Sequence, residues 1–164
     1  LIKIPFPKDA EKMKTTLIKV GMQSQVDKFE YVLNEGAEDA SNFAKEIFIN
    51  AVKNMTITDA MAILKGGDNA ATTYLKNQTS KELYAKFKPV VKNSIEKVNL
   101  TKYWSTLSER YNAIPLTTKV NTDLEDYVTN QAIEGLFILI ANEEKNIRNN
   151  PKARVSEILQ KVFK

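Results

Sequence analysis

Apolar residues recur at every third or fourth position between residues 23 and 54, which is the spacing of one face of an α-helix. The residues that form this stripe are Val26, Phe29, Leu33, Gly36, Ala40, Phe43, Ile47 and Ala51. Its centre, which also includes Ala37 and Ala44, is made of small residues, so a second helix can approach closely. This pattern indicates a chain that folds by packing helices against one another.

Helix-starting and helix-ending residues divide most of the remaining chain, and strand signals are nearly absent. The segment around Pro5 is predicted to be extended, because a residue before proline avoids the α region. Pro89 is expected to bend the helix that contains it. The predicted helices cover, in order, residues 7 or 8 to 20, 23–54, 56–65, 69–76, 79–98, 100–113, 122–147 and a short segment after 151.

Three helix starts are predicted from local capping chemistry. Asp68 is expected to cap the helix that follows it. Thr79 with Glu82 three residues later is typical of a capping box. Asn121 or Thr122 is expected to cap the last long helix.

The middle of that last long helix, residues 135–141, is apolar on every side. A helix of this kind has to be surrounded by others. The sequence therefore predicts an all-α fold, a helical bundle of about seven to eight helices around a central apolar helix at about 122–147. Residues 1–164 are expected to form a single all-helical domain, because their number is close to one domain's worth.

The composition excludes several classes of function. The chain contains no cysteine and no histidine, which removes disulfide frameworks, thiol catalysis, Ser-His-Asp triads and His/Cys metal sites. Its formal charge is only +4, and Arg110, Arg148 and Arg154 are the only arginines, so nucleic-acid binding is not expected. No apolar run reaches the roughly 18 residues of a membrane-spanning helix.

Two segments allow both a functional and a structural interpretation. The glycine pair before Asp68 opens a helix, where backbone N–H groups can hold an anion, but ordinary capping is the favoured interpretation. The helix over 80–98 carries Lys81, Lys88 and Lys92 along one border of an apolar stripe. That arrangement suits a membrane surface, and it equally suits a core-facing helix whose lysine stems cover the seam.

Glu143, Glu144 and Arg148 form a charged group near the end of the last long helix. Glu144 and Arg148 are an i,i+4 pair, which contributes about 0.2–0.5 kcal/mol when exposed. The two carboxylates diverge by about 100° around the helix, so they cannot share a substrate. A di-iron bundle is also excluded, because it needs Glu-x-x-His. The tyrosines and Trp104 fit core packing.

Several spaced sequence blocks together resemble an uncharacterised bacterial envelope family that carries only a domain-of-unknown-function label. The blocks lie in one order over nearly the whole chain. They include Ile2-Lys3-Ile4-Pro5-Phe6-Pro7, Gly66-Gly67-Asp68-Asn69-Ala70-Ala71-Thr72-Thr73-Tyr74, Arg110-Tyr111-Asn112-Ala113-Ile114-Pro115, Asp126-Tyr127-Val128-Thr129, Ala132-Ile133-Glu134-Gly135-Leu136-Phe137 and Glu143-Glu144-Lys145-Asn146-Ile147-Arg148.

The resemblance implies an all-helical protein of the periplasm or cell envelope of a Gram-negative bacterium. It also implies export by a signal peptide, often with a lipid-anchoring cysteine, and a further helical segment before the first block. We expect these natural N-terminal parts to be missing from this chain. The resemblance implies no catalytic residue, cofactor or metal. Val155 stands where the family commonly has a Thr or Ser helix cap.

The leading hypothesis is a non-enzymatic exported protein that binds an envelope partner or a small ligand, without a cofactor. Its expected ligand site joins Asp68, Thr72, Tyr74, Glu143 and Arg148. The alternative is a peripheral membrane-surface protein that docks through the lysine-edged helix 80–98. A hydrolase that uses only Asp, Glu, Ser, Lys or Tyr is the third hypothesis, and the residue spacing gives it no support.

Overall fold

The computed structural model describes residues 11–19, 21–98, 101–113, 115–116 and 119–163. Within these ranges the chain forms seven α-helices, one 3₁₀ turn at Pro151–Ala153 and no strand, so the fold is all-α as predicted. The extended segment predicted around Pro5 lies outside the described residues. The helices are α1 (Glu11–Lys19), α2 (Gln23–Lys53), α3 (Ile57–Lys65), α4 (Ala70–Val98), α5 (Thr101–Asn112), α6 (Leu124–Asn149) and α7 (Glu157–Val162).

Helix α4 packs against both α2 and α6, and the core lies between these three helices. One core cluster surrounds Trp104, whose ring stacks on Phe29 with centroids 5.3 Å apart. The indole N–H of Trp104 donates to the Asn121 carbonyl at 3.0 Å, so its polar atom is satisfied. The second cluster consists of Ala44, Ile47, Leu83, Phe87, Ala132, Ile133 and Phe137.

The prediction of α6 as a fully surrounded central helix is wrong in one respect. Ile138, in the middle of its apolar segment, is 48% exposed. The apolar face of α4 is almost completely buried, at Leu83, Phe87, Val91 and Ile95. Helices α4 and α6 therefore share the central position, and α6 keeps one face toward solvent.

Residues 70–98 form one continuous helix in place of the two predicted over 69–76 and 79–98. Thr79 does not cap a new helix, because its buried hydroxyl donates to the Leu75 carbonyl one turn earlier at 2.6 Å. Such a back-bond satisfies a threonine inside a helix and removes the need for a break. Helix α4 also continues through Pro89.

Two other predicted caps are corrected by the structure. Asp123 caps α6 by accepting from the Asp126 amide at 3.0 Å, in place of Asn121 or Thr122. Helix α4 begins at Ala70, and the carbonyl of Asn69 accepts the first intrahelical bond, so Asp68 lies one residue too early to cap it.

Gly66 ends α3 at a point where the chain passes close to the start of α4. A Cβ at this position would lie 2.4 Å from the Ala70 Cβ and 2.9 Å from the Ala62 carbonyl oxygen. A Cβ at Gly67 would meet nothing within 4 Å. The close approach of neighbouring atoms therefore requires a glycine at position 66 but not at position 67.

We expect Gly66→Ala to lower the free energy of unfolding by about 1–3 kcal/mol, because backbone atoms would have to move apart. Gly67→Ala is the matched control and should leave stability unchanged or raise it by about 0.4–1 kcal/mol. Urea unfolding monitored by far-UV circular dichroism measures both. Equal stability of the two variants would contradict the close approach.

Candidate functional site

The carboxylate of Glu144, on α6, lies at the N-terminus of α4. The Ala71 amide donates to its Oε1 at 2.8 Å, and the Thr72 amide donates to its Oε2 at 2.8 Å. The Thr72 hydroxyl adds a third bond to Oε2 at 2.7 Å. These backbone donors have no intrahelical partner in the first turn of a helix, so Glu144 caps α4 from another helix.

Arg148 completes this carboxylate site from one turn further along α6. Its Nε donates to Glu144 Oε1 at 2.9 Å, and its Nη2 lies 2.8 Å from the same oxygen. Nη2 also donates to the Ile63 carbonyl at 2.7 Å, near the end of α3. Both side chains are about nine-tenths buried. The pair therefore joins α6 to the start of α4 and to the end of α3.

The C-terminal segment closes over this pair through Phe163. The guanidinium carbon of Arg148 lies 5.3 Å from the Phe163 ring centroid, and that of Arg154 lies 6.0 Å from it. Arg154 donates to the carbonyls of Ile147 (3.0 Å) and Arg148 (2.8 Å), which belong to the last turn of α6. The short helix α7 is held in place by these contacts.

The pKa of Glu144 reflects two opposed effects. Burial raises the pKa, because it disfavours the charged carboxylate. The hydrogen bonds from Ala71, Thr72 and Arg148 outweigh burial and hold the pKa of Glu144 below its usual value. Glu144 is therefore a charged group whose oxygens are already occupied.

An open cleft of about 320 Å³ lies beside the ion pair, between α3, α6 and α7. Glu144 and Arg148 line it on one side, together with Ala71 at the start of α4. The exposed carboxylate of Glu143 also borders it. The remaining walls are the apolar side chains Ile63, Ile140, Ile147, Leu159 and Phe163.

The structure brings together most of the residues predicted for a ligand site. Thr72 and Arg148 both donate hydrogen bonds to Glu144, and Glu143 borders the cleft beside them. Asp68 lies near the same end of α6, where it accepts from the Asn149 amide group at 3.3 Å. Tyr74 is not part of this group, because its hydroxyl points to the Ala51 carbonyl of α2 at 3.4 Å.

Sequence reasoning did not include Glu144 itself in the site, although it is the residue that joins the others. The signal that could have found it is its register on α6. Glu144 follows Ile140 by four residues and Phe137 by seven, so it continues the apolar stripe. A carboxylate in that register is buried and needs partners, whereas Glu143 is turned to solvent.

The apolar stripe of the lysine-edged helix 80–98 faces the core, which contradicts its use as a membrane-inserting face. Lys81 and Lys92 are exposed. Lys88 donates to the Tyr84 hydroxyl at 3.0 Å, and Tyr84 in turn donates to Asp126. The core-facing interpretation of this helix is therefore the correct one.

The described part of the chain contains no group of three or more Asp or Glu side chains that could hold a metal ion.

Fold and site together define an all-α protein whose buried Glu–Arg pair borders an apolar cleft. The chain belongs to the family described as "Protein of unknown function (DUF4197)", whose model matches residues 1–164. The resemblance seen in the sequence blocks is thereby confirmed at the level of the family. Comparison with curated proteins and with solved structures found no match.

We expect Glu144→Gln to lower the free energy of unfolding at pH 7 by about 3–5 kcal/mol, because it leaves Arg148 buried without its counter-charge. Because the folded pKa of Glu144 is depressed, its stabilisation is present above the ordinary value of 4.5. It is lost as the pH falls through the folded pKa, so the difference from wild type should shrink there. Urea unfolding at several pH values measures this difference.

Glu143→Gln is the matched control for this measurement. It removes the same charge from the neighbouring, exposed position and should change stability by less than about 0.5 kcal/mol. A Glu144→Gln variant as stable as Glu143→Gln at pH 7 would show that the buried pair does not hold the helices together.

Proposed function

We propose that this chain is a non-enzymatic protein of the bacterial cell envelope that binds an uncharged, apolar small ligand in the cleft between α3, α6 and α7. The observation that carries the proposal is the composition of the cleft. Its walls are mostly apolar side chains, and of the three charged residues at its edge Glu144 and Arg148 are paired with each other, while Glu143 is exposed to solvent.

The pairing of these charges decides which ligands fit. Both carboxylate oxygens of Glu144 accept from protein donors. Arg148 donates from Nε to Glu144 and from Nη2 to the Ile63 carbonyl. A charged ligand would have to break these bonds to replace either member of the buried pair, which is costly, and the exposed carboxylate of Glu143 at the edge repels an anion. An apolar group gains from contact with the walls alone.

The size of the cleft suits one small group. Its volume of about 320 Å³ lies at the lower end of the range of ligand pockets, roughly 300–1,000 Å³. That space accepts a hydrocarbon chain or a single ring system. Leu159 and Phe163 supply one wall from the short helix α7 and its end, so the site depends on a small, separate segment of the chain.

A binding role is favoured over catalysis by the chemistry of the available groups. The chain has no histidine and no cysteine to serve as base or nucleophile. Glu144 is held ionised by four donors, which makes it a poor proton carrier. Glu143 is exposed and turned about 100° away around α6, so the two carboxylates do not act as a pair.

The envelope location is proposed from the resemblance of the sequence blocks to a bacterial envelope family. The absence of cysteine is compatible with an oxidising compartment. Cell fractionation of a bacterium that carries the full-length gene tests the location. We expect the protein in the periplasmic or membrane fraction, and recovery in the cytoplasmic fraction alone would contradict it.

We expect the chain to bind a neutral apolar fluorophore such as N-phenyl-1-naphthylamine, and we expect Ile140→Phe to weaken that binding about tenfold or more. The larger side chain fills space in the cleft, where a ligand would otherwise lie. Fluorescence titration measures the dissociation constant.

Ile138→Phe is the matched control, because it makes the same substitution on the same helix at an exposed position. It should bind the fluorophore as wild type does. Thermal unfolding confirms that both variants are folded. Absence of binding by wild type, or equal binding by the two variants, would contradict the cleft as a ligand site.

A further inference from the structure

The outer face of α3 is an exposed apolar stripe. Ile57 is 86% exposed, and Met61 and Leu64, one and two turns later, are 44% and 41% exposed. No residue of α3 is fully buried. Its opposite side carries Ile63, which lines the cleft. A helix of nine residues with this much apolar surface in water is unusual, because such residues generally face a core.

The end of α2 carries two more exposed apolar residues, across a sharp corner from α3. Ile49 and Val52 are exposed and lie on one face of α2, three residues apart. The segments Asn42–Lys53 and Ile57–Lys65 meet at 107°. We call Ile49, Val52, Ile57, Met61 and Leu64, with the exposed lysines Lys45, Lys53 and Lys65, the α2–α3 corner.

The apolar composition of the corner is compatible with contact with lipid. Among the described residues, no single helix is both long and apolar enough to cross a membrane. The two segments of the corner pass the same criterion only when taken together, and they are bent at the break between them. A bent apolar element with lysines beside its exposed stripes resembles the interfacial helices that insert shallowly into a bilayer.

The charges of the corner favour an anionic surface. Lys45 precedes Ile49 by one turn on the same face, with the exposed Glu46 beside it, and Lys53 and Lys65 follow the ends of the two stripes. Three exposed lysines therefore stand against one exposed glutamate. The carboxylate of Asp59 is turned back onto the cap of its own helix, where it accepts from the Thr56 amide at 3.1 Å. Lysine stems of this kind reach past apolar surface toward lipid phosphates.

The area of the stripe argues against a second copy of the chain as the occupant. Five partly exposed side chains offer roughly 300–500 Å² of apolar surface, the size of a functional patch on a monomer. A stable protein interface needs about 800 Å² on each partner. Insertion into lipid has no such requirement, because each apolar side chain contributes on its own.

We propose that the α2–α3 corner is a docking surface for anionic lipid bilayers, into which Ile57, Met61 and Leu64 insert while the lysines contact the headgroups. This inference is independent of ligand binding in the cleft. It places the membrane contact on a different surface from the helix 80–98, whose apolar stripe is buried in the core.

The test is co-sedimentation with vesicles made of phosphatidylglycerol and phosphatidylcholine, at 50 and 300 mM NaCl. We expect binding at low salt that falls as salt screens the lysines, and little binding to pure phosphatidylcholine. Ile57→Ser should lower the partition coefficient about tenfold, because it removes an inserted apolar side chain. The double variant Lys53→Glu/Lys65→Glu should lower it by a similar factor at 50 mM NaCl.

Each variant has a matched control at an exposed position elsewhere. Ile158→Ser removes an exposed isoleucine, 72% accessible, from α7. Lys81→Glu/Lys92→Glu reverses two exposed lysines on α4. Both controls should bind as wild type does. The proposal is overturned if wild type fails to bind anionic vesicles, if either control loses as much binding as its partner variant, or if light scattering shows a dimer that Ile57→Ser dissociates.

Discussion

The architecture around the cleft depends on one carboxylate. Glu144 accepts hydrogen bonds from the first turn of α4 and from Arg148. Arg148 in turn donates to the Ile63 carbonyl of α3. Phe163 then packs on the same guanidinium and brings α7 against it. Three helices and the C-terminal segment thus take their positions from one ion pair, so its loss affects the cleft as a whole and not one wall of it.

A buried ion pair is an expensive way to join helices, because removing each charge from water costs several kcal/mol. Here the cost is offset by four donors on the carboxylate and by a backbone carbonyl on the guanidinium. The same hydrogen bonds occupy both oxygens of Glu144, and the proposed preference of the cleft for an uncharged ligand rests on them. Structure and proposed selectivity therefore have one physical origin.

The sequence predicted helix α2 and the ends of α3 closely, because an apolar period and a glycine stop are local properties. It failed where a local cap competed with a tertiary partner. Thr79 looked like a cap but lies inside α4, where packing keeps the helix continuous. At the start of α4 the sequence predicts Asp68 as the cap, but the backbone amides of Ala71 and Thr72 donate to Glu144 instead. Glu143, the glutamate predicted for the site, lies one position before the buried Glu144.

The sequence by itself determined the all-α class, the exclusion of histidine and cysteine chemistry, and the family, because these follow from composition and from short-range patterns. Only the tertiary structure decided which glutamate is buried and which apolar stripe is covered. The stripe of α4 is packed in the core, and that of α3 is exposed. The physical reason is distance along the chain, since Glu144 meets an amide 73 residues away and no local pattern encodes that meeting.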